Sequence, residues 1–388
     1  MLTYSVKPRG GVVHAVEVAE ALARRGHRVE LLALARGGES FFRPPRVPVH
    51  LIEHDPTEVA LETRVEGMIG AYAAGLRSLL AVRRFDLLHA QDCVSANAAL
   101  KLRADGPMPY LVRTVHHIDD FRSPSLVECQ ERSILGPDRV LAVSPPWVRR
   151  LAEDFGLDAG LVRNGVDQHR FHPSASSADR RRDRAEADLE GRLVVLAVGG
   201  IEPRKGSLTL LEGFARLRHL APERQPLLIV AGGATLFDYR DEAERFADRA
   251  RELAITEHVR VTGALMPAEL ERLYRAADIF ACPSIKEGFG LVALEALAAE
   301  LPLVASDIDV FRTFLDHEHS ALLTPAGDPD ALGHALARIA RDGALRRRLR
   351  AGGRSVVAAW SWDDAAAEHE RAYGIALRAR GERVERVL

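Results

Sequence analysis

Short apolar runs recur along this chain, each followed by a segment whose apolar residues repeat every three to four positions, and the alternation occurs twice. In the first half the runs fall at 29–34, 85–90, 110–115 and 139–143; in the second, at 193–198, 227–231, 259–262, 278–281 and 303–305. Runs that are short and almost wholly apolar read as strands buried on both faces, which requires helices on each side of a parallel sheet. Segment 12–25 shows the partner pattern. Val12, Val16, Ala19, Leu22 and Ala23 share one helical face, and Gly26 is placed to end that helix in a left-handed conformation. The expected fold class is α/β, with two doubly wound parallel-sheet domains. A chain of 388 residues exceeds what one core holds and suits two. Ligands of such sheets bind beyond the carboxyl ends of the strands, here expected in a cleft that the two domains face across.

The boundary is expected at 173–192. This stretch opens with turn-forming residues and continues as charges without an apolar face, so it reads as a linker or a solvated excursion. The first domain then spans 1–172 and the second 193–362. The tail, 363–388, is helical in composition and follows Trp360 and Trp362, which suit a chain crossing back to pack on the first domain. Only residues 1–5 precede a glycine turn, so either the first strand is brief or the natural start lies upstream.

Composition removes several function classes. Hydrophobic residues make up 47% and charged residues 28%, an ordinary soluble mixture, and the net charge of −2 argues against a nucleic-acid partner. Cys93, Cys129 and Cys282 lie far apart, without metal-ligand spacing, and Cys282 sits inside an apolar run as a small buried hydrophobe. No secretory signal and no bilayer-spanning run stands out, so a cytoplasmic protein is expected.

Four clusters carry chemistry. Glu287 and Glu295 stand eight positions apart, the first followed by Gly288 and Gly290 where a strand hands over to a helix. A helix start collects unpaired N–H groups and suits a phosphate, and two carboxylates near it suit a polyhydroxylated ligand. Taken alone, the motif also fits a helix with an acidic first turn. Gly10 and Gly11 form a turn into a helix, where they permit close backbone approach and positive φ. His116, with His117, Asp119 and Asp120, follows a strand, where it is placed to donate to a sugar hydroxyl or to neutralise a developing phosphate charge. Asp119 and Asp120 lack the DxD form of a cation–diphosphate clamp. Arg204 and Lys205 beside Gly206 follow the first strand of the second half, and paired cations there suit a diphosphate. Asn164 and Gly165 are expected to form a tight turn that Asp167 caps, a structural element. The arginines of 345–350 read as the solvated face of an amphipathic helix, with contact to the inner face of a membrane as the alternative.

In this order, these pieces resemble the retaining nucleotide-sugar glycosyltransferases of the GT-B fold, specifically glycosyltransferase family 4. The resemblance runs nearly end to end and implies two Rossmann-like domains. It implies that Glu295 holds the donor ribose, that Glu287 contacts the donor sugar, and that the backbone of Gly288, Phe289, Gly290 and Leu291 faces sugar and phosphate. Lys205 with Arg204 corresponds to the diphosphate clamp, Gly10 and Gly11 to the backbone that meets the phosphate, and His116 to the histidine facing the sugar. The base is expected at Ala264 and Leu265, beside Gly263. The implied catalytic set is His116, Arg204, Lys205 and Glu287. The implied reaction moves a sugar from a nucleotide-diphosphate donor to a carbohydrate, lipid or small-molecule acceptor, with retention and with no cofactor or obligatory metal. Three positions depart from the family pattern: no arginine follows Gly200, His117 replaces a common aspartate, and Glu300 replaces a common glycine. A sugar-nucleotide epimerase or hydrolase of the same fold, or a non-catalytic nucleotide-sugar-binding module, are the alternatives. The loops at 36–48, 54–64 and 121–127 show no acceptor signature, and neither sugar, base nor oligomeric state is legible.

Overall fold

The computed structural model describes residues 1–55, 60–232 and 240–379; part of the 54–64 loop and the end of the tail lie outside the described residues. The chain forms two compact units, 1–165 with 362 onward, and 166–361. The first opens with strand β1 (Leu2–Thr3), helix α1 (Gly10–Arg24), β2 (Leu31–Ala35), β3 (Val49–Glu53), α2 (Leu61–Val82), β4 (Leu87–Ala90) and α3 (Cys93–Arg103). It continues with β5 (Tyr110–Val115), α4 (Pro124–Leu135), β6 (Arg139–Ala142), α5 (Pro145–Phe155) and β7 (Gly160–Leu161). The strands make a parallel sheet in the order β3-β2-β1-β4-β5-β6-β7.

The second unit holds α6 (Ser177–Glu186), β8 (Leu193–Val198), α7 (Ser207–Leu220), β9 (Pro226–Ala231), α8 (Arg240–Glu252), β10 (Val259–Gly263), α9 (Pro267–Ala276) and β11 (Ile279–Cys282). After these come α10 (Leu291–Ala298), β12 (Leu303–Ser306), α11 (Asp309–Arg312), β13 (Leu322–Thr324), α12 (Pro329–Arg341) and α13 (Gly343–Val357). Its sheet runs β10-β9-β8-β11-β12-β13, again parallel. Helix α14 (Trp362–Ala379) then returns to the first unit, where Asp363 and Glu370 pair with Arg24 and Arg25 of α1 at 2.7 and 2.6 Å.

The apolar runs became the central strands for the reason that made them legible. Val195, Leu228, Ile279 and Val304 are completely enclosed by helices. The strands not anticipated are the short or marginal ones. β3 is a half-exposed edge whose outward residues are polar, and β7 has only two residues.

The stretch expected as a linker is instead an ordered part of the second unit. Helix α6 has no apolar stripe, so its packing rests on ion pairs: Arg180 and Arg184 reach Asp278 at 2.8 and 3.1 Å, and buried Asp183 takes Arg275 at 2.9 Å. The break between units falls earlier, after Gly165. Asn164 and Gly165 form no tight turn. The backbone of 162–167 runs straight on, with neither residue at positive φ, and Asn164 is buried. Asp167 does cap, accepting from the backbone N–H of His169 at 2.9 Å.

Two further expectations need correction. Cys93 and Cys129, far apart in sequence, place their sulfurs 3.1 Å from each other as free thiols. Helix α2 is long and apolar enough to cross a bilayer by length and composition, yet it covers the first sheet through Met68, Ile69, Tyr72 and Leu76, and Tyr72 donates to Leu32 O at 2.6 Å. The arginines of α13 are largely engaged within the unit. Leu345 and Leu349 are buried, Arg346 donates to the carbonyls of Ile339 and Ala340 at the end of α12, and Arg348 donates to Glu318 O at 2.8 Å.

Candidate functional site

In the second sheet the order reverses between β8 and β11, which makes a topological switch point where ligands of such sheets bind. The loops leaving these two strands touch backbone to backbone. Gly206 sits at φ 66°, and a Cβ on it would lie 2.1 Å from the carbonyl oxygen of Pro283, so only glycine fits. The N–H of Ile285 donates to Arg204 O at 2.8 Å and ties the same loops.

That contact brings four charges together. Lys205 Nζ donates to Glu287 Oε1 at 2.6 Å, Ser284 Oγ donates to the same oxygen at 2.8 Å, and an Arg204 nitrogen lies 3.9 Å from the other oxygen. Arg204 Nε also pairs with Glu202 at 2.7 Å. Burial alone would raise the pKa of Glu287, but the charges of Lys205 and Arg204 outweigh it and hold the carboxyl below its ordinary range. Glu287 is therefore ionised at neutral pH. The two cations read from the sequence as a diphosphate clamp already face two carboxylates, so the cluster is formally neutral. A dianionic ligand would draw Arg204 and Lys205 by exchanging partners, at the cost of loosening Glu287.

Helix α10 starts beside this cluster. Its N-cap, Gly290, is left-handed at φ 93°, provides no side-chain cap, and is followed by no acidic residue in the first turn. The helix start thus keeps the partial positive charge that suits a phosphate. Phe289 is buried, stacked on Phe314 and tilted on Trp360, each with centroids 5.1 Å away, so its side chain belongs to the core and its contribution is backbone. Gly288 lies in the loop and Leu291 opens the helix. One turn further on, Glu295 Oε2 accepts from Tyr274 Oη at 2.7 Å. Burial, then the Glu295 charge, push the Tyr274 phenol well above its usual value, so it stays protonated and donates. Ala264 and Leu265 lie in the loop after β10, with β9 between β10 and β8.

In the first sheet the order reverses between β1 and β4. Gly10 and Gly11 are the first residues of α1, and neither takes the positive φ that the sequence allows. Space beside Gly10 is open, whereas a Cβ on Gly11 would stand 3.1 Å from His116 Cδ2. His116, just past β5, places Nε2 2.9 Å from Gln91 Oε1, and its ring meets that of His14 edge-on at 4.9 Å. His14 in turn places Nδ1 2.7 Å from Asn164 Oδ1 and its ring 5.2 Å from that of His369 on α14. Burial first, then His14, Arg113 and His117, push His116 well below its ordinary value. The imidazole is neutral at pH 7, so it does not supply the positive charge toward a phosphate that the sequence suggested. His117 points elsewhere, 3.3 Å from Asp119.

Sequence reasoning missed Gln91, Tyr274, Ser284 and Glu202. Gln91 was the most legible of them, a polar residue directly after a strand that ends at a switch point. Tyr274 had no signal, because it lies on a different helix 21 positions before Glu295.

Two family models match the chain in succession, Glycosyltransferase Family 4 over residues 8–170 and Glycosyl transferases group 1 over 179–356. A D-inositol 3-phosphate glycosyltransferase of Xylanimonas cellulosilytica is 31% identical over 401 residues, covering 96% of this chain and 93% of that protein. The chain belongs to the GT-B glycosyltransferases of family 4. Among solved structures, this transferase is similar to the sucrose-phosphate synthase of Thermosynechococcus elongatus, with a TM-score of 0.79, 24% identity and coverage of 96% and 94% of the two chains. Anabaena HepE in complex with UDP-glucose has a TM-score of 0.75 at 19% identity, covering 96% and 98%. Both likenesses concern the fold. Membership places Arg204, Lys205, Glu287 and Glu295 in a unit of known transferase architecture, and two reversals of strand order mark where its chemistry is carried.

Proposed function

We propose that this transferase moves a sugar from a nucleotide-diphosphate donor to an acceptor hydroxyl with retention at the anomeric carbon and without an obligatory divalent metal. The observation that carries the reading is the cluster at the β8–β11 switch point, where Lys205, Arg204 and Glu287 adjoin the uncapped start of α10. In this reading the donor diphosphate rests on the α10 amides and takes Lys205 and Arg204 as counter-charges. Those cations stabilise the charge that grows on the leaving diphosphate while the acceptor attacks the same face. Glu287, released from Lys205 in part, turns an oxygen to the sugar hydroxyls; Glu295, braced by Tyr274, accepts from the ribose. Gly10 and Gly11 of α1 contribute backbone toward the phosphate, Ala264 and Leu265 meet the base, and His116 meets the sugar. Glu287 is not assigned as a nucleophile, since Lys205 and Ser284 already engage its oxygen.

The test begins with thermal shifts against UDP, GDP, ADP and TDP, because a ligand that binds only the native state stabilises it in proportion to its affinity. One nucleotide is expected to stabilise the protein, and Glu295→Ala is expected to weaken it by about 1.5–3 kcal/mol in calorimetry. Equal affinity in the variant would overturn the ribose assignment. With the matching donor, D-inositol 3-phosphate is the first acceptor to try, given the names of the relatives. Turnover is expected to persist in excess chelator, and a complete loss that magnesium restores would overturn metal independence.

A further inference from the structure

The contact between His116 and Gln91 decides which nitrogen of the imidazole works. Gln91 is buried, and its amide is oriented by what lies on either side: Nε2 faces the Met1 sulfur at 3.8 Å and Oε1 faces His116 Nε2 at 2.9 Å. The reverse orientation would set the amide oxygen against a thioether, which has no proton to give. An oxygen facing His116 Nε2 requires a proton on that nitrogen. Because the ring is neutral, the proton on Nε2 leaves Nδ1 as a lone pair. Nδ1 has no hydrogen-bond partner among the described residues, and it is not among the buried nitrogens left without one, so it reaches solvent. The ring cannot turn over easily, held between Gly11 on one side and the edge-on His14 ring on the other.

We propose that Gln91 is a positioning residue that locks His116 in the Nε2–H tautomer, so that Nδ1 serves as the hydrogen-bond acceptor for a hydroxyl of the substrate. The proposal rests on the reading of His116 as a sugar-facing group, and it reverses the direction of the bond the sequence suggested. His116 accepts a proton bond and does not donate one. Orientation of the sugar hydroxyl, and not charge, is then what the histidine supplies. The other titratable or charged groups facing the ring are His14 on α1, Arg113 on β5, the adjacent His117 and His369 on α14. None of them is an anion that would favour the imidazolium, which leaves the neutral amide of Gln91 in control.

The experiment uses the full chain labelled with 15N at histidine. Long-range 1H–15N spectra at pH 7.5 are expected to show His116 as the Nε2–H tautomer in the wild type, assigned by its absence in His116→Asn. Gln91→Glu keeps the size and the acceptor but adds a charge. It is expected to raise the midpoint of His116 titration by about 1 to 3 pH units, as an opposite charge at this distance does, and to move the acid limb of the pH–rate profile by the same amount. Gln91→Leu is expected to mix the tautomers and lower kcat with little change in donor KM. Should the leucine variant fail to fold, the glutamate variant decides alone. A wild-type Nδ1–H tautomer, or an unmoved titration in Gln91→Glu, would overturn the proposal. Both readouts are spectroscopic, so they stand even if no acceptor is found. A correct tautomer with a pH–rate profile indifferent to Gln91→Glu would instead remove His116 from the reaction and count against the proposed function.

Discussion

Glu287 is the residue at which the sequence and the packed chain say most about each other. Its place before a helix start and eight positions from Glu295 was readable, as was the cation pair Arg204 and Lys205. That Lys205 and Glu287 would meet at 2.6 Å, 82 positions apart, was not, because two loops of a parallel sheet are joined only by the strand order. The pair is buried on the carboxylate side, with Glu287 about 6% and Lys205 19% exposed, so removing the lysine strands a carboxylate. Lys205→Ala is therefore expected to destabilise the second unit by about 3 kcal/mol, the low end for breaking a buried pair, since Ser284 and Arg204 remain. Urea denaturation checks this, and a loss below about 1 kcal/mol would mean the pair behaves as an exposed one. Kinetically, the same variant should lose turnover more than donor affinity, because the diphosphate charge is largest in the transition state.

Helix α10 shows how far a single element was legible. Its start was, through Gly288 and Gly290. Its end departs from the family pattern at Glu300, and the structure shows what that departure costs. The N–H of Leu301 donates to Ala296 O at 2.9 Å and that of Glu300 to Leu297 O at 3.0 Å, the two bonds of a Schellman end, which sets Glu300 at φ 56°. A side chain there is strained, and its one visible return is an ion pair with Arg354 at 2.9 Å on the surface. Glu300→Gly is expected to raise stability by about 0.5–1 kcal/mol, the relief of left-handed strain less the greater freedom of an unfolded glycine. A lower thermal midpoint in that variant would show that the Arg354 pair outweighs the strain. Helix α6 is the opposite case. With no apolar face it gave no periodic signal, and it is held by Arg180, Arg184 and Asp183 to partners about ninety positions away.

At the scale of the molecule, the two units differ in how they hold their histidines. In the first, His14, His89, His116 and His369 are enclosed together, and burial foremost lowers all four, His14 to about 3 and His369 to about 4. Each is neutral when folded and takes a proton below about pH 6.5 when unfolded. The unfolded chain thus binds more protons as pH falls through 6.5, so the stability these groups contribute is whole above that value and drains away toward pH 4. The Met1 amine, lowered to about 5 by burial, acts in the same direction. Hydrogen exchange is expected to show protection of the first sheet falling between pH 7 and 5 while the second sheet changes less, and equal loss in both would count against the histidine cluster as the cause. The sequence by itself determined the two alternating sets of strands and helices, the parallel sheets and the order of the motifs, because hydrophobic periodicity and glycine turns act over a few residues. Only the tertiary structure decided which charges neutralise each other, which ring nitrogen of His116 carries the proton, and that residues 14, 89, 116 and 369 share one enclosure. Those outcomes depend on the order of strands in a sheet and on the return of α14, and neither leaves a local trace in the chain.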